Sequence, residues 1–227
     1  MTKLFVLKKN LKNADAIAST SHCMAVQTAK TYSHSKIFVT PFGIDDKRFY
    51  PFQKHLNNDF IQIGTVKTLS EKYGIDTLIE AFAISEKQCI KHGINIRLSI
   101  VGSGEDEYKL KMLSKELGLQ DKITFAGYIA NENIPRVLNS FDIYVALSRW
   151  NSESFGVAVL EASACGLPVV VSDADGLKEV VLDLGTGLIV AKDNPQLAAD
   201  ALIKLINDNT LRERLGLNGR KHVLQHY

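Results

Sequence analysis

The sequence predicts an α/β protein with a doubly wound parallel sheet. Strand-like and helix-like segments alternate along most of the 227 residues, a rhythm that sets parallel strands beside crossover helices. The runs "PVVV" and "RLSIV" are apolar without alternation, as strands covered on both faces are. The segment "GIDTLIEAFAISEKQCIKH" carries apolar residues three and four apart, the spacing of a helix with one buried face.

From the N-terminus, "DAIAST" reads as a short strand, "HCMAVQTAKTY" as a helix and "KIFVTPFGID" as a strand running into a turn. "RFYPFQKHLNND" has no period and reads as a linker. The regular alternation then begins with strand "FIQIGTV", the helix quoted above and strand "INIRLSIVG". Helix "EDEYKLKMLSKELGL", strand "KITFAGY", short helix "NENIPRVLNSF" and strand "DIYVAL" follow. Next come helix "SFGVAVLEASACG", strand "LPVVVS", helical turn "GLKEVV" and strand "GTGLIVA". Two helices close the chain, the first opened by Asn194 as cap and Pro195 in its first turn. In such sheets ligands sit beyond the carboxyl ends of the strands, where the strand order reverses. The loops to inspect are therefore 65–73, 102–105, 127–131, 147–155 and 172–177.

Composition excludes several classes. A net charge of +2 is too weak for a nucleic-acid protein, which needs a clustered basic face. No apolar run approaches the roughly 18 residues of a membrane span. The basic, mixed N-terminus lacks the apolar core of a secretory signal. Cys23, Cys89 and Cys165 are odd in number and widely spaced, which fits bystander thiols in a reducing cytosol. His222 and His226 are four apart with no third ligand nearby, so a frayed terminal helix is expected there and no metal site.

Four short stretches carry candidate chemistry. Gly102-Ser103-Gly104 lies between a strand and a helix, but Glu107 stands where a dinucleotide fingerprint wants glycine; a tight turn explains it equally well. Asp173 and Asp175 form a D-x-D, better read before Gly176 as a turn with Asx hydrogen bonds than as a metal site. Lys67 and Lys72 share a loop after a strand and would hold a diphosphate by charge, or simply be solvated. Finally, Ser154 reads as the N-cap of a helix that Phe155 and Gly156 enter. Its N–H groups at Phe155, Gly156 and Val157 would face an anionic ligand. Glu161 is the lone charge on that otherwise apolar helix, and an isolated buried carboxylate is costly. It pairs with a structural cation or snorkels, or else it accepts hydroxyls from a ligand such as a ribose.

The stretch "SESFGVAVLEASACGLPVVVSDADGLKEVV" resembles the signature of the retaining glycosyltransferases of family 4, which have the GT-B fold. That signature is two glutamates separated by seven residues, here Glu153 and Glu161, with Phe-Gly soon after the first. "VTPFGIDDKRFYP", "IGTVKTLSEKYGIDTLIEAF", "IVGSGEDEYKLK", "ITFAGYI" and "FDIYVALS" resemble the family's other motifs in order and spacing, over nearly the whole chain. The resemblance implies a Rossmann-like donor-binding domain for a nucleotide-diphosphate sugar. It gives Lys67 and Lys72 the diphosphate, Glu153 the donor sugar's hydroxyls and Glu161 the ribose. The turn at Gly102, the loop at Tyr128 and Ile129 beside the base, and Ser154 to Val157 complete the donor contacts. No metal or other cofactor is expected, because cationic side chains do that work. Lys67 stands where the family usually has arginine, so a point charge replaces a bidentate fork. The family also usually has glycine near Asp175.

The expected organisation is a remnant of an N-terminal acceptor half and interdomain segment over 1–50, a linker over 51–59, the donor domain over 60–206 and a closing helix over 207–227. The chain thus reads as the C-terminal half of a GT-B fold, without the half that carries the acceptor site. The partners implied are the donor and a saccharide or lipid-linked acceptor, with no nucleic acid. The expected location is the cytoplasm, with the full-length protein associating peripherally with the inner face of the membrane. Rival readings are another GT-B enzyme, a sugar epimerase or a phosphorylase, and a non-catalytic nucleotide-binding module. A phosphorylase would need a cofactor-lysine motif that the sequence lacks.

Overall fold

The structure is a computed structural model that describes residues 2–52, 59–151 and 153–227. Most of the expected linker, residues 53–58, and Ser152 lie outside the described residues. The chain opens with helix α1 (Thr2–Asn13), strand β1 (Ile17–Ser19), helix α2 (His22–Thr31) and strand β2 (Ile37–Val39). β1 and β2 pair in parallel, Ile17 beside Ile37, as a small separate sheet. α1 is an element the sequence reading did not assign. Four consecutive apolar residues, Leu4 to Leu7, hide its helical period, and all four side chains are exposed.

The larger sheet has six parallel strands: β3 (Ile61–Val66), β4 (Ile96–Val101), β5 (Ile123–Gly127), β6 (Ile143–Ala146), β7 (Val169–Ser172) and β8 (Gly187–Val190). Their spatial order is β5-β4-β3-β6-β7-β8. The chain runs outward from β3 to β5 and then returns to place β6 on the other side of β3. The order therefore reverses between β3 and β6, and the crevice of a doubly wound sheet opens there. Helices α3 (Ile75–Cys89), α4 (Glu107–Glu116), α5 (Ile134–Asn139), α6 (Val157–Ala164), α7 (Asp175–Val180) and α8 (Pro195–Asn207) cover the sheet.

Burial on both faces explains the unbroken apolar strands. In β6, Ile143 and Val145 join a core with α3 and α8, whereas Tyr144 and Ala146 join a second core with α6 and α7. In β7, Val170 belongs to the first core, and Val169 and Val171 to the second. Successive residues of a strand point to opposite faces, so covering both demands apolar residues throughout. The last helix, α9 (Asn209–His226), contributes Leu211 and Leu215 to the first core and Val223 to the second. It therefore wraps from one face to the other.

That path corrects the expectation of a frayed C-terminus. The Tyr227 ring packs edge-on against Phe155 at 5.6 Å, and its carbonyl accepts the Ile44 N–H at 3.1 Å. The expected opening of α8 holds: the Asn194 side chain accepts the Leu197 N–H, with Pro195 in the first turn. No helix among the described residues is long and apolar enough to cross a membrane.

Candidate functional site

The loops after β3 and β6 meet at the switch point and bring Lys67 against Glu153. The Lys67 Nζ lies 3.0 Å from Glu153 Oε2, with both side chains largely buried. The Ser148 hydroxyl, in the loop just after β6, donates to the same oxygen at 2.8 Å. Burial pushes the Glu153 carboxyl up, but the Lys67 charge, the Ser148 hydrogen bond and the nearby Lys72 together bring it below its ordinary value. Both lysines share one aromatic support: the Nζ atoms of Lys67 and Lys72 lie 4.7 and 5.0 Å from the Tyr73 ring centre.

Beside this pair is a cavity of about 290 Å³, lined in part by Arg48, Lys67, Gly102, Tyr128, Ile129 and Glu161. Its shape depends on the two-glycine turn. Gly102 has φ +132°, and a side chain there would meet the Lys67 carbonyl at 1.9 Å. A side chain at Gly104 would meet the Leu69 carbonyl at 2.1 Å. The loop after β4 thus lies against the backbone of the lysine loop, joined by the Leu69 N–H bond to Ser103 O at 3.0 Å. The glycines are packing glycines that bring two loops together.

Glu161 answers one of the two alternatives left by the sequence. Among the described residues its carboxylate has neither an ion pair nor a hydrogen bond. It is half-buried and lines the cavity. Burial raises its pKa above 4.5, partly offset by the positive charges of Arg48 and Lys67.

The entry to α6 differs from expectation. Ser154 is not its cap. Gly156 is, in the left-handed region at φ +82°, and no side chain caps the helix. A serine would be strained in that backbone conformation, whereas glycine takes it freely. The Val159 and Leu160 N–H groups both turn back to the Gly156 carbonyl, at 2.9 and 3.2 Å. The Phe155 side chain is fully buried, with its ring edge-on to Phe42 at 5.7 Å and to Tyr227. The cavity lining brings together Lys67, Gly102, Tyr128, Ile129 and Glu161. Glu153 reaches its edge through Lys67, whereas Lys72 and Ser154 to Val157 stand outside the lining.

The D-x-D does not converge. Asp173 accepts the Lys192 N–H at 3.0 Å, while Asp175 pairs with Lys178 at 2.9 Å. No group of three or more His, Cys, Asp or Glu among the described residues is placed to hold a metal ion.

Sequence reading missed Arg48 and Arg149. Arg48 lies in the segment taken as the start of the linker, lines the cavity and donates to the Asn131 carbonyl. Its guanidinium rests 5.2 Å from the Phe49 ring centre. The signal was an arginine next to an aromatic residue in the stretch that leads into β3. Arg149 is the only arginine in the 147–155 loop, and its grip on neighbouring segments is not visible in any local pattern.

Against known proteins, residues 46–222 match the family of glycosyl transferases group 1. The chain belongs to that family. It is 25% identical over 235 residues to the N-acetyl-alpha-D-glucosaminyl L-malate synthase of Bacillus anthracis, covering 98% of this chain and 58% of that protein. It is 27% identical over 232 residues to a capsular polysaccharide biosynthesis glycosyltransferase of Staphylococcus aureus, covering 98% of this chain and 57% of that one. The fold matches the Anabaena protein HepE, solved with UDP-glucose, at a TM-score of 0.86 and 23% identity, covering all of this chain and 64% of that structure. The chain therefore spans a little over half the length of these curated relatives.

Proposed function

We propose that this chain is the donor-binding portion of a retaining glycosyltransferase of family 4. The whole enzyme transfers a sugar from a nucleotide-diphosphate sugar to a saccharide or lipid-linked acceptor, in cell-surface polysaccharide or glycolipid synthesis. The observation that carries this reading is the Glu161 carboxylate, which lines the cavity with no ion pair or hydrogen bond among the described residues. A carboxylate that accepts two ribose hydroxyls regains on binding what burial costs it in the empty protein.

The remaining roles follow from charge and position. Lys67 and Lys72 face the diphosphate. As the glycosidic bond breaks, the sugar becomes oxocarbenium-like and negative charge grows on the departing diphosphate. Two fixed cations then stabilise the transition state more than the ground state. They supply the charge that a metal ion supplies elsewhere, and the reading needs no metal. Glu153 orients the donor sugar's hydroxyls while Lys67 and Ser148 keep it ionised. Gly102 shapes the wall, and Tyr128 and Ile129 lie beside the base. Ser154 and the backbone from Phe155 to Val157 contribute at the sugar end. The Staphylococcus aureus relative, named for capsular polysaccharide synthesis, supports the assignment to surface polymers. Membrane association of the full-length protein is peripheral.

The test is calorimetric titration of the chain with UDP, GDP, ADP and uridine, with and without Lys72→Ala. One nucleoside diphosphate should bind, and Lys72→Ala should weaken it by about 1.5–3 kcal/mol more than it weakens the matching nucleoside. Equal losses for both would remove Lys72 from the diphosphate. Product anomer analysis with the full-length protein tests retention, and an inverted product would reject it.

A further inference from the structure

We propose that Arg149 is a positioning residue for Lys72, acting through the backbone of the lysine loop. The role rests on the reading of Lys72 as a diphosphate ligand. Arg149 follows β6 at the switch point, and its side chain is only 19% exposed. Its own N–H donates to the Lys72 carbonyl at 2.8 Å. Its guanidinium donates to the Glu71 carbonyl at 3.3 Å and to the Thr77 hydroxyl at 3.0 Å. The same group pairs with Asp76 at 2.8 Å and with Asp193.

These contacts tie three segments into one unit. They are the turn that carries Lys72, the first turn of α3 and the loop after β8. A planar guanidinium with several fixed donors can hold a carbonyl, a hydroxyl and two carboxylates at once; an ammonium cannot. Asp193 has φ +52°, a conformation that costs energy for any residue with a side chain. Such strain persists where the surroundings fix it. Here the Asp193 carboxylate in that conformation pairs with Arg149. The result is a lysine loop whose Glu71 and Lys72 carbonyls, on either side of the Lys72 Cα, are both anchored to one residue, so the Lys72 ammonium starts from a fixed base. Arg149 itself stands outside the cavity lining.

A double-mutant cycle tests the role, with UDP and uridine as probes on the 227-residue chain. Arg149→Ala should weaken UDP about tenfold and uridine less than about twofold. Arg149→Lys should lose nearly as much, because a point charge replaces the fork. In the Lys72→Ala chain, Arg149→Ala should add less than about twofold. A full additive loss there, or an equal loss on uridine, would overturn the role. If Lys72→Ala itself leaves the ratio of UDP to uridine affinity unchanged, the diphosphate reading fails first, and this role falls with it. Hydrogen exchange without ligand supplies the second readout. The Tyr73 and Gly74 amides, bonded to Ser70 O and Glu71 O, should exchange faster in Arg149→Ala while β3 amides do not. Unchanged exchange at those two amides would refute the positioning. Should Arg149→Ala fail to fold, Asp193→Asn removes one ion pair only and should weaken UDP about threefold in the same pattern; no selective loss would be a refutation.

Discussion

Glu153 and Glu161 are eight positions apart and carry opposite pKa shifts, which gives each a different dependence of stability on pH. For Glu161, burial holds the folded pKa above the ordinary 4.5, so ionisation opposes folding. That cost is absent below the unfolded value and appears as pH rises through the folded one. Glu161→Gln should therefore melt higher than the native chain at pH 7, with the gap closing as pH falls towards 4.5. For Glu153, the net shift is downward, so its ionised form stabilises the fold above its ordinary 4.5. That contribution is lost as pH falls through the depressed value. Glu153→Gln should melt lower at pH 7, by up to about 3 kcal/mol in stability because it leaves Lys67 buried without its partner. Its gap should narrow on acidification. Melting curves of the three proteins across pH 3.5–8 read both signs, and gaps of the same sign for the two variants would reject the contrast. The lone charge on an apolar helix was enough to single out Glu161 in the sequence. The same reasoning does not reach Arg48 or Arg149, because each depends on partners far along the chain: Asn131 for Arg48, and Glu71, Asp76, Thr77 and Asp193 for Arg149.

At the scale of elements, the strands and most helices were legible because burial imposes periods that a single sequence displays. β6 and the first three positions of β7, Val169 to Val171, must be apolar when both faces are covered, and they are; Ser172 closes β7 with its hydroxyl donating to the Ser148 carbonyl. The start of α6 was not legible. Ser154 has the side chain of a cap, but the glycine two residues later takes the left-handed turn that begins the helix. The two-glycine turn after β4 was legible as a turn, though not as the joint that shapes the cavity. Its importance can be measured against another glycine. Gly118 also has positive φ, at +70°, but a side chain there meets nothing within 4 Å. Gly118→Ala should show only the backbone strain, about 1 kcal/mol. Gly102→Ala adds a clash with the Lys67 carbonyl, should cost about 1–3 kcal/mol or more, and should also weaken nucleotide binding. Denaturant unfolding gives the stabilities, and titration with UDP gives the binding. Equal costs at the two positions, with binding intact in both, would show that the loop contact does not shape the site.

At the scale of the molecule, binding and transfer separate. The donor contacts proposed here, Lys67, Lys72, Glu153 and Glu161, lie in the loops after β3 and β6 and on α6, around the switch point of one sheet. A few charge-assisted contacts with a nucleotide suit a dissociation constant near the millimolar range, about −4 kcal/mol. Transfer makes a further demand, since acceptor and donor must be held in reacting geometry. That orientation supplies on the order of 7–11 kcal/mol of the barrier. The relatives matched here extend well beyond the 57–58% of their length that this chain spans. In the GT-B arrangement that the sequence resembles, the acceptor is held by the other half, and closure of the two halves excludes water from the reacting atoms. A protein of residues 1–227 alone should therefore bind a nucleoside diphosphate and transfer no sugar. A radiolabelled-donor assay with acceptor extract, run beside a full-length version, measures this. The full-length protein should label the acceptor and residues 1–227 should not, although titration shows both binding nucleotide. Acceptor-dependent transfer by residues 1–227 at a comparable rate would place the whole reaction on this one sheet and reject the division of labour between two halves.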